Sequence, residues 1–181
     1  MNENHAMESS KESGKTPGSI GNRFSQVAWV VPDIEAAERF FLEVIGVPSF
    51  VKMENLEAQD LEGTYYGQPA DFEFHLYMAY SGDSMLELIQ PVSGRSLFSD
   101  FLDRHGHGGV QHVAYAVPES EFDPAVTRMK NEQYDVVQSL HLPVAHVAYF
   151  DTRPVIGVAT EIIGVTEEGV QFIEQLKSES F

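Results

Sequence analysis

Ser25–Asp33 (SQVAWVVPD) and Gln111–Glu119 (QHVAYAVPE) decide the fold, because the second repeats the first almost position for position. Gln26-Val27-Ala28-Trp29-Val30-Val31-Pro32-Asp33 falls on His112-Val113-Ala114-Tyr115-Ala116-Val117-Pro118-Glu119, a separation of 86 residues. In each copy a polar side chain able to bind metal, Gln26 or His112, opens a β-branched and aromatic run. That run ends at Pro and an acid, after which a helical pattern begins. The chain reads as a duplication.

Working outward, Asp33–Gly46 (DIEAAERFFLEVIG) places Ile34, Ala37, Phe41, Val44 and Ile45 at helical spacing, with Gly46 as the stop. Val47–Met53 reads as a strand, and the acidic stretch Glu54–Ala70 as a long connection. Phe72–Tyr80 and Ser84–Gln90 read as a hairpin about Ser81–Asp83. The second half repeats the order: strand Gly109–Val117, helix Phe122–Gln133, then strands Tyr134–Ser139, Val144–Asp151 and Val158–Ile163. The expected class is α+β, two tandem βαβββ modules forming a curved, partly open mixed sheet. The expected boundaries are a disordered tail over 1–22, a first module over 23–92, a connecting helix and HGHGG loop over 93–108, and a second module over 109–165. A C-terminal helix over 166–181 follows, without an evident counterpart in the first half.

A second correspondence locates the chemistry. Met85-Leu86-Glu87-Leu88-Ile89-Gln90 matches Ala159-Thr160-Glu161-Ile162-Ile163-Gly164, each with one Glu in mid-strand among apolar neighbours. Such a carboxylate is costly unless it is exposed, paired or metal-bound. A pseudo-twofold relation between the modules exchanges Gln26 with His112 and Glu87 with Glu161, so the four can converge on the axis. By strand parity Ala28 and Ala114 share the face of Gln26 and His112, and their small side chains leave room there. Two carboxylates, one imidazole and one amide oxygen suit a single divalent ion such as Zn, Ni, Co, Mn or Fe. Taken singly, each residue has a plainer reading, a solvated Glu or a hydrogen-bonded structural His. Only the four together are specific.

Composition limits the alternatives. The chain has 181 residues, 28 acids against 11 bases, a formal net charge of −17 and no cysteine. That charge opposes binding to nucleic acid or to an anionic membrane surface. Without cysteine there is no disulfide framework, thiolate metal site or thiol nucleophile. No apolar run is long enough to span a bilayer, and the N-terminus lacks a signal-peptide pattern, so the expected location is cytoplasmic.

The βαβββ duplication, the VPD and VPE strand ends and the one-ligand-per-strand pattern resemble the vicinal oxygen chelate superfamily. That group includes glyoxalase I, methylmalonyl-CoA epimerase, extradiol dioxygenases and bleomycin resistance proteins. The resemblance covers roughly Phe24–Gly164. It places the metal ligands on Gln26, Glu87, His112 and Glu161, a set similar to that of zinc-type glyoxalase I. The run Ser96–Val117 (SLFSDFLDRHGHGGVQHVAYAV) is more similar to the epimerase, with Gln111 standing where the epimerase has the first His of a pair. The resemblance implies a divalent-metal-dependent lyase, isomerase or epimerase that abstracts a proton next to a carbonyl of a small keto, acyl or thioester substrate through a metal-stabilised enolate. Glu161 is the first choice of base and Glu87 the second. It also implies a homodimer, which the apolar C-terminal helix would suit. Two other classes stay open, an extradiol-type dioxygenase and a non-catalytic small-molecule binding protein. Further residues that could face the site are His75, His146, Tyr65, Tyr66, Tyr77 and Trp29, with His105 and His107 in a flexible loop.

Overall fold

The computed structural model describes residues 19–178. Most of the expected N-terminal tail, with His5, lies outside them, as does 179–181. Ile20, assigned to the tail from the sequence, packs on the core formed with Val117 and Phe150.

β1 (Phe24–Val30) leads into α1 (Ile34–Arg39), whose N-terminus is capped by the Asp33 carboxylate accepting from the Ala36 amide at 2.9 Å. Phe40–Ile45 continues α1 as π-helix. This winding carries more residues per turn and alters which side chains face the sheet. Val44 and Ile45, expected on the packed face, are 69% and 54% exposed, while Phe41 packs against Trp29 and Phe50.

β2 (Val51–Glu57) starts and ends later than the sequence pattern indicates. The stretch expected as a long connection carries a 3-10 turn, Ala58–Leu61, and a small hairpin of β3 (Thr64–Tyr65) and β4 (Gln68–Pro69). β5 (Phe72–Ser81) and β6 (Ser84–Gly94) form the long hairpin, and α2 (Leu97–Arg104) follows. The second module is β7 (Gly109–Pro118), α3 (Glu119–Asn131), β8 (Val136–Leu142), β9 (Ala145–Phe150), a short α4 (Arg153–Ile156) and β10 (Ala159–Val165). α5 (Glu167–Ser178) ends the described chain.

The strands form one sheet in the order β2-β5-β6-β1-β7-β10-β9-β8-β3-β4. Each module contributes a run of four strands with its first strand innermost, β1 meets β7 antiparallel at the pseudo-twofold, and the short β3 and β4 of the first module extend the far edge. The sheet curls into a cup. β3, from the first module, pairs with edge strand β8 of the second and draws the rim together.

Strand parity sorts the cores. Inward residues such as Phe74, Leu76, Met78, Ile89, Leu140 and Val147 make the cup interior, joined by Leu97, Phe98 and Phe101 of α2. Outward residues meet α1 in one small core, around Tyr77 and Leu88, and α3 in another, around Phe150 and Ile162. The two helical faces therefore stabilise the sheet from outside while the concave side stays available for chemistry.

α5 does have a counterpart. It follows β10 as α2 follows β6, so the duplicated unit is βαβββα, and each of these helices closes one end of the cup. Their sequences share too little for the repeat to be read before folding. Phe98, fully buried, anchors the α2 end against Phe72, Phe74 and Tyr149. Phe98→Ala should cost about 3–5 kcal/mol of stability, the usual range for deleting a buried aromatic ring, measurable by chemical denaturation.

Candidate metal centre

Gln26, Glu87, His112 and Glu161 sit on the four central strands β1, β6, β7 and β10, and all are buried. Register explains their convergence. Ala28 lies directly between Glu87 and His112 on its two neighbouring strands, and Ala114 between Gln26 and Glu161. Neither alanine lines open space. Each instead gives room for the two side chains flanking it to meet across a methyl group. His112 Nε2 lies 3.1 Å from Glu87 Oε2 and 3.2 Å from Glu161 Oε2. Gln26 Nε2 donates to Glu161 Oε2 at 3.0 Å and lies 3.5 Å from His112 Nε2.

The other face of the imidazole is fixed by a residue that sequence parity puts on the wrong side. Between Ala28/His112 and Trp29/Val110 the register slips, so Gln111 is an extra residue in β7. The bulge turns its side chain toward His112. Gln111 Oε1 lies 2.6 Å from His112 Nδ1, so Nδ1–H donates to it and Nε2 is left to face the two acids. No local sequence signal marks the slip.

Tyr149 is the second residue missed. It is the cross-strand partner of Glu161, and its ring meets that of His112 edge-on at 5.1 Å. Burial first, then the charges of Glu161 and Glu87, raise its pKa well above the ordinary value, so the phenol stays protonated. The other tyrosines named from the sequence lie elsewhere: Tyr77 donates to Glu54, and Tyr65 to Asp100. Trp29 packs on α1. His75 accepts from the Asn55 amide on the outer side, and His146 stacks on His141. His105 stacks on Phe101 beside α2, away from the open end of the cup.

The ligand atoms of Glu87, His112 and Glu161 lie within 4.8 Å of one another. Above them is a cavity of about 280 Å³ between the sheet and α5. Its base carries Gln26, Glu87, Glu161 and Tyr149, and its walls are almost wholly apolar.

The chain matches a model of the glyoxalase/bleomycin resistance protein/dioxygenase superfamily over residues 25–150. It belongs to that superfamily. No curated protein matches it by sequence. Solved structures with a similar fold include a hypothetical protein from Bacillus halodurans C-125, at 20% identity and TM-score 0.58, covering 80% of this chain and 94% of that one. Methylmalonyl-CoA epimerase from Mycobacterium tuberculosis is similar at 16% identity and TM-score 0.60, covering 84% and 94%. A Streptomyces coelicolor methylmalonyl-CoA epimerase in complex with 2-nitronate-propionyl-CoA gives 16% and 0.56, covering 79% and 94%. The superfamily match ends before Glu161, and it is the pairing of β10 with β7 that brings this acid to the centre.

The donor set of this superfamily member fits a divalent cation. With Nδ1–H engaged by Gln111, the Nε2 lone pair would face two carboxylate oxygens, an electron-rich junction that needs positive charge. With Nε2 unprotonated, Glu87 Oε2, 3.1 Å from it, would be buried without a hydrogen-bond donor among the described residues. A proton on Nε2 or a metal ion can supply the charge. The Gln26 amide turns its nitrogen inward, and a half-turn about its last bond would present oxygen instead. Among the described residues, no helix is long and apolar enough to cross a membrane.

Without metal, the proton is held tightly. Burial pushes the His112 pKa down, but Glu161 and then Glu87 outweigh it and lift the pKa from 6.5 to about 9. Because the folded value is the higher, this ion cluster stabilises the metal-free fold fully below about pH 6.5, and the contribution is lost as pH rises through about 9. Thermal melting of chelator-treated protein should therefore show a falling Tm across that window, and His112→Gln should flatten the fall.

Proposed function

We propose that the chain is a divalent-metal-dependent enzyme of the glyoxalase-like type, a lyase, isomerase or epimerase that removes a proton next to the carbonyl of a small keto, acyl or thioester substrate. One observation carries the reading: two carboxylates and an imidazole with its second nitrogen tied back converge at the base of an apolar cavity. Glu87, His112 and Glu161 hold the ion, and Gln26 joins them through its amide oxygen. A divalent ion bound there supplies the positive charge that polarises the substrate carbonyl and offsets the charge that develops on it.

The chain's own groups do the rest. The two acids balance the ion's charge, which makes their burial tolerable. Glu161 accepts from Gln26 and pairs across strands with Tyr149, whereas Glu87, with His112 Nε2 at 3.1 Å, has the apolar Met78 as its partner on β5. Burial raises the Glu87 pKa, with His112 partly offsetting it. A base working near neutrality needs such a shift. These features favour Glu87 over Glu161, the first choice from the sequence, as the proton acceptor. Tyr149, kept protonated, is positioned to donate to a substrate oxygen. The apolar walls exclude water from the reacting carbon.

The centre offers one imidazole and two carboxylates, the reverse of the two-imidazole, one-carboxylate set typical of ferrous oxygenases. That balance favours proton transfer over oxygen chemistry. Two of the similar folds are epimerases of a CoA thioester by name, which keeps thioesters among the substrates to be tried.

Protein purified without chelator should carry close to one divalent ion per chain by elemental analysis, and Glu87→Ala or Glu161→Ala should lose it. Retention of tightly bound metal in both variants would sink the assignment. In deuterium oxide the metal-loaded protein should exchange the hydrogen next to the carbonyl of its substrate, followed by proton NMR across a panel of 2-oxo acids and acyl thioesters. Glu87→Gln should abolish exchange more completely than Glu161→Gln, and the opposite order would return the base to Glu161.

Gln111→Leu should weaken the ion roughly 10- to 100-fold by calorimetric titration, the usual effect of deleting a hydrogen-bond partner of a metal-bound His. Gln111→Glu, which can still accept from Nδ1–H, should recover most of it. Ion affinity should also rise with pH until about 9, because binding displaces the His112 proton.

A further inference from the structure

The two ends of the cup are related by the pseudo-twofold but filled differently. At one end α2 drives Leu97, Phe98 and Phe101 into the interior, and the Phe98 ring lies 5.6 Å from both Phe74 and Tyr149. At the other end α5 contributes Gly169, Phe172, Ile173 and Lys177 around the cavity of about 280 Å³. The volume that the first end fills with its own rings is left free at the second.

We propose that this free end takes the hydrocarbon body, aromatic or branched, of the substrate, and that its walls select against a charged group in that position. The inference rests on the proposed reading of the centre for the carbonyl end of the same molecule. Among the residues lining the cavity, charge occurs only at the base, on Glu87 and Glu161, and on Asp83 and Lys177, which flank it on the β5–β6 turn and on α5. Between them the wall is Met53, Leu76, Met78, Met85, Leu140 and Ile163, with Phe74 and Phe172. A carboxylate or phosphate lodged among these apolar side chains, out of reach of Lys177, would lose its water without gaining a partner, at a cost larger than the contacts could return. An aryl or branched alkyl group loses nothing comparable, and the three methionines can repack around different shapes.

Size points the same way. At a few tens of Å³ per atom, the cavity accommodates roughly ten non-hydrogen atoms. A nucleotide or tripeptide carrier exceeds that. Any carrier would have to stay outside with only the acyl part within the cavity.

Calorimetric titration of full-length, metal-loaded protein with phenylpyruvate, pyruvate and 2-oxoglutarate tests this. The first two share the 2-oxo acid head and differ in the aryl group; the third is similar in size to phenylpyruvate but ends in a second carboxylate. Phenylpyruvate should bind roughly 10- to 100-fold tighter than pyruvate, the gain expected from burying one phenyl group, and tighter still than 2-oxoglutarate. Ile173→Glu should remove most of that gain, and Ala116→Phe, which narrows the cavity, should do the same if the first variant melts early. Equal affinities, tightest binding of 2-oxoglutarate, no binding of phenylpyruvate at millimolar concentration, or an undiminished gain in folded variants would overturn the inference. Phenyl preference without stoichiometric metal or deuterium exchange would retain it while ending the enzymatic reading. Metal and exchange without phenyl preference would do the reverse.

Discussion

Two buried carboxylates face one imidazole nitrogen at the middle of the sheet, at 3.1 Å and 3.2 Å, and most of the architecture is what holds them there. The ligand oxygens of the two acids lie within 4.8 Å of each other; like charges at that range repel, and burial removes the water that would screen them. The arrangement survives only with a cation between the acids, a proton on His112 or a metal ion in its place. Everything around it is rigid. The four residues stand on adjacent central strands, each acid reaches its partner across an alanine, and Gln111 holds the far side of the ring. One chain supplies all of them.

Rigidity of this kind comes from the sheet and not from the helices. β1 and β7 are hydrogen-bonded to each other and to the strands carrying the two acids, so a shift of either would break two ladders at once. α1 and α3 lie on the outer face, which is why the π-helical winding in Phe40–Ile45 leaves Val44 and Ile45 exposed without disturbing the centre. The concave face is then free to vary in what it encloses.

The legible part of the molecule was the part that duplication repeats. Gln26 and His112 stand at equivalent places in similar strands, as do Glu87 and Glu161, and period-two parity sends all four to the concave face. Parity is also what hid Gln111, because a bulge adds one residue and returns the next side chain to the same face. Tyr149 was hidden for a different reason: its pairing with Glu161 depends on the register of the β9–β10 pair, which strand boundaries uncertain by a residue cannot supply. The α2 and α5 correspondence was invisible since helices that cover a cavity are constrained only in being apolar on one side.

The departures from symmetry are accordingly where the two halves of the centre differ chemically. A perfect duplication would place identical ligands about the axis and close both ends of the cup alike. Here one module supplies an amide and the other an imidazole, so only one side of the centre carries a titratable ring, and only that ring is tied back by a bulge. Tyr149 lies beside Glu161, while the corresponding neighbour of Glu87 is Met78. Glu161 thereby has Tyr149 on one side and, across Ala114, Gln26 on the other, whereas Glu87 has Met78 on one side and, across Ala28, His112 on the other. Two acids that are equivalent in the sequence repeat thus stand in different surroundings, and the same asymmetry that fills the α2 end leaves a cavity at the α5 end.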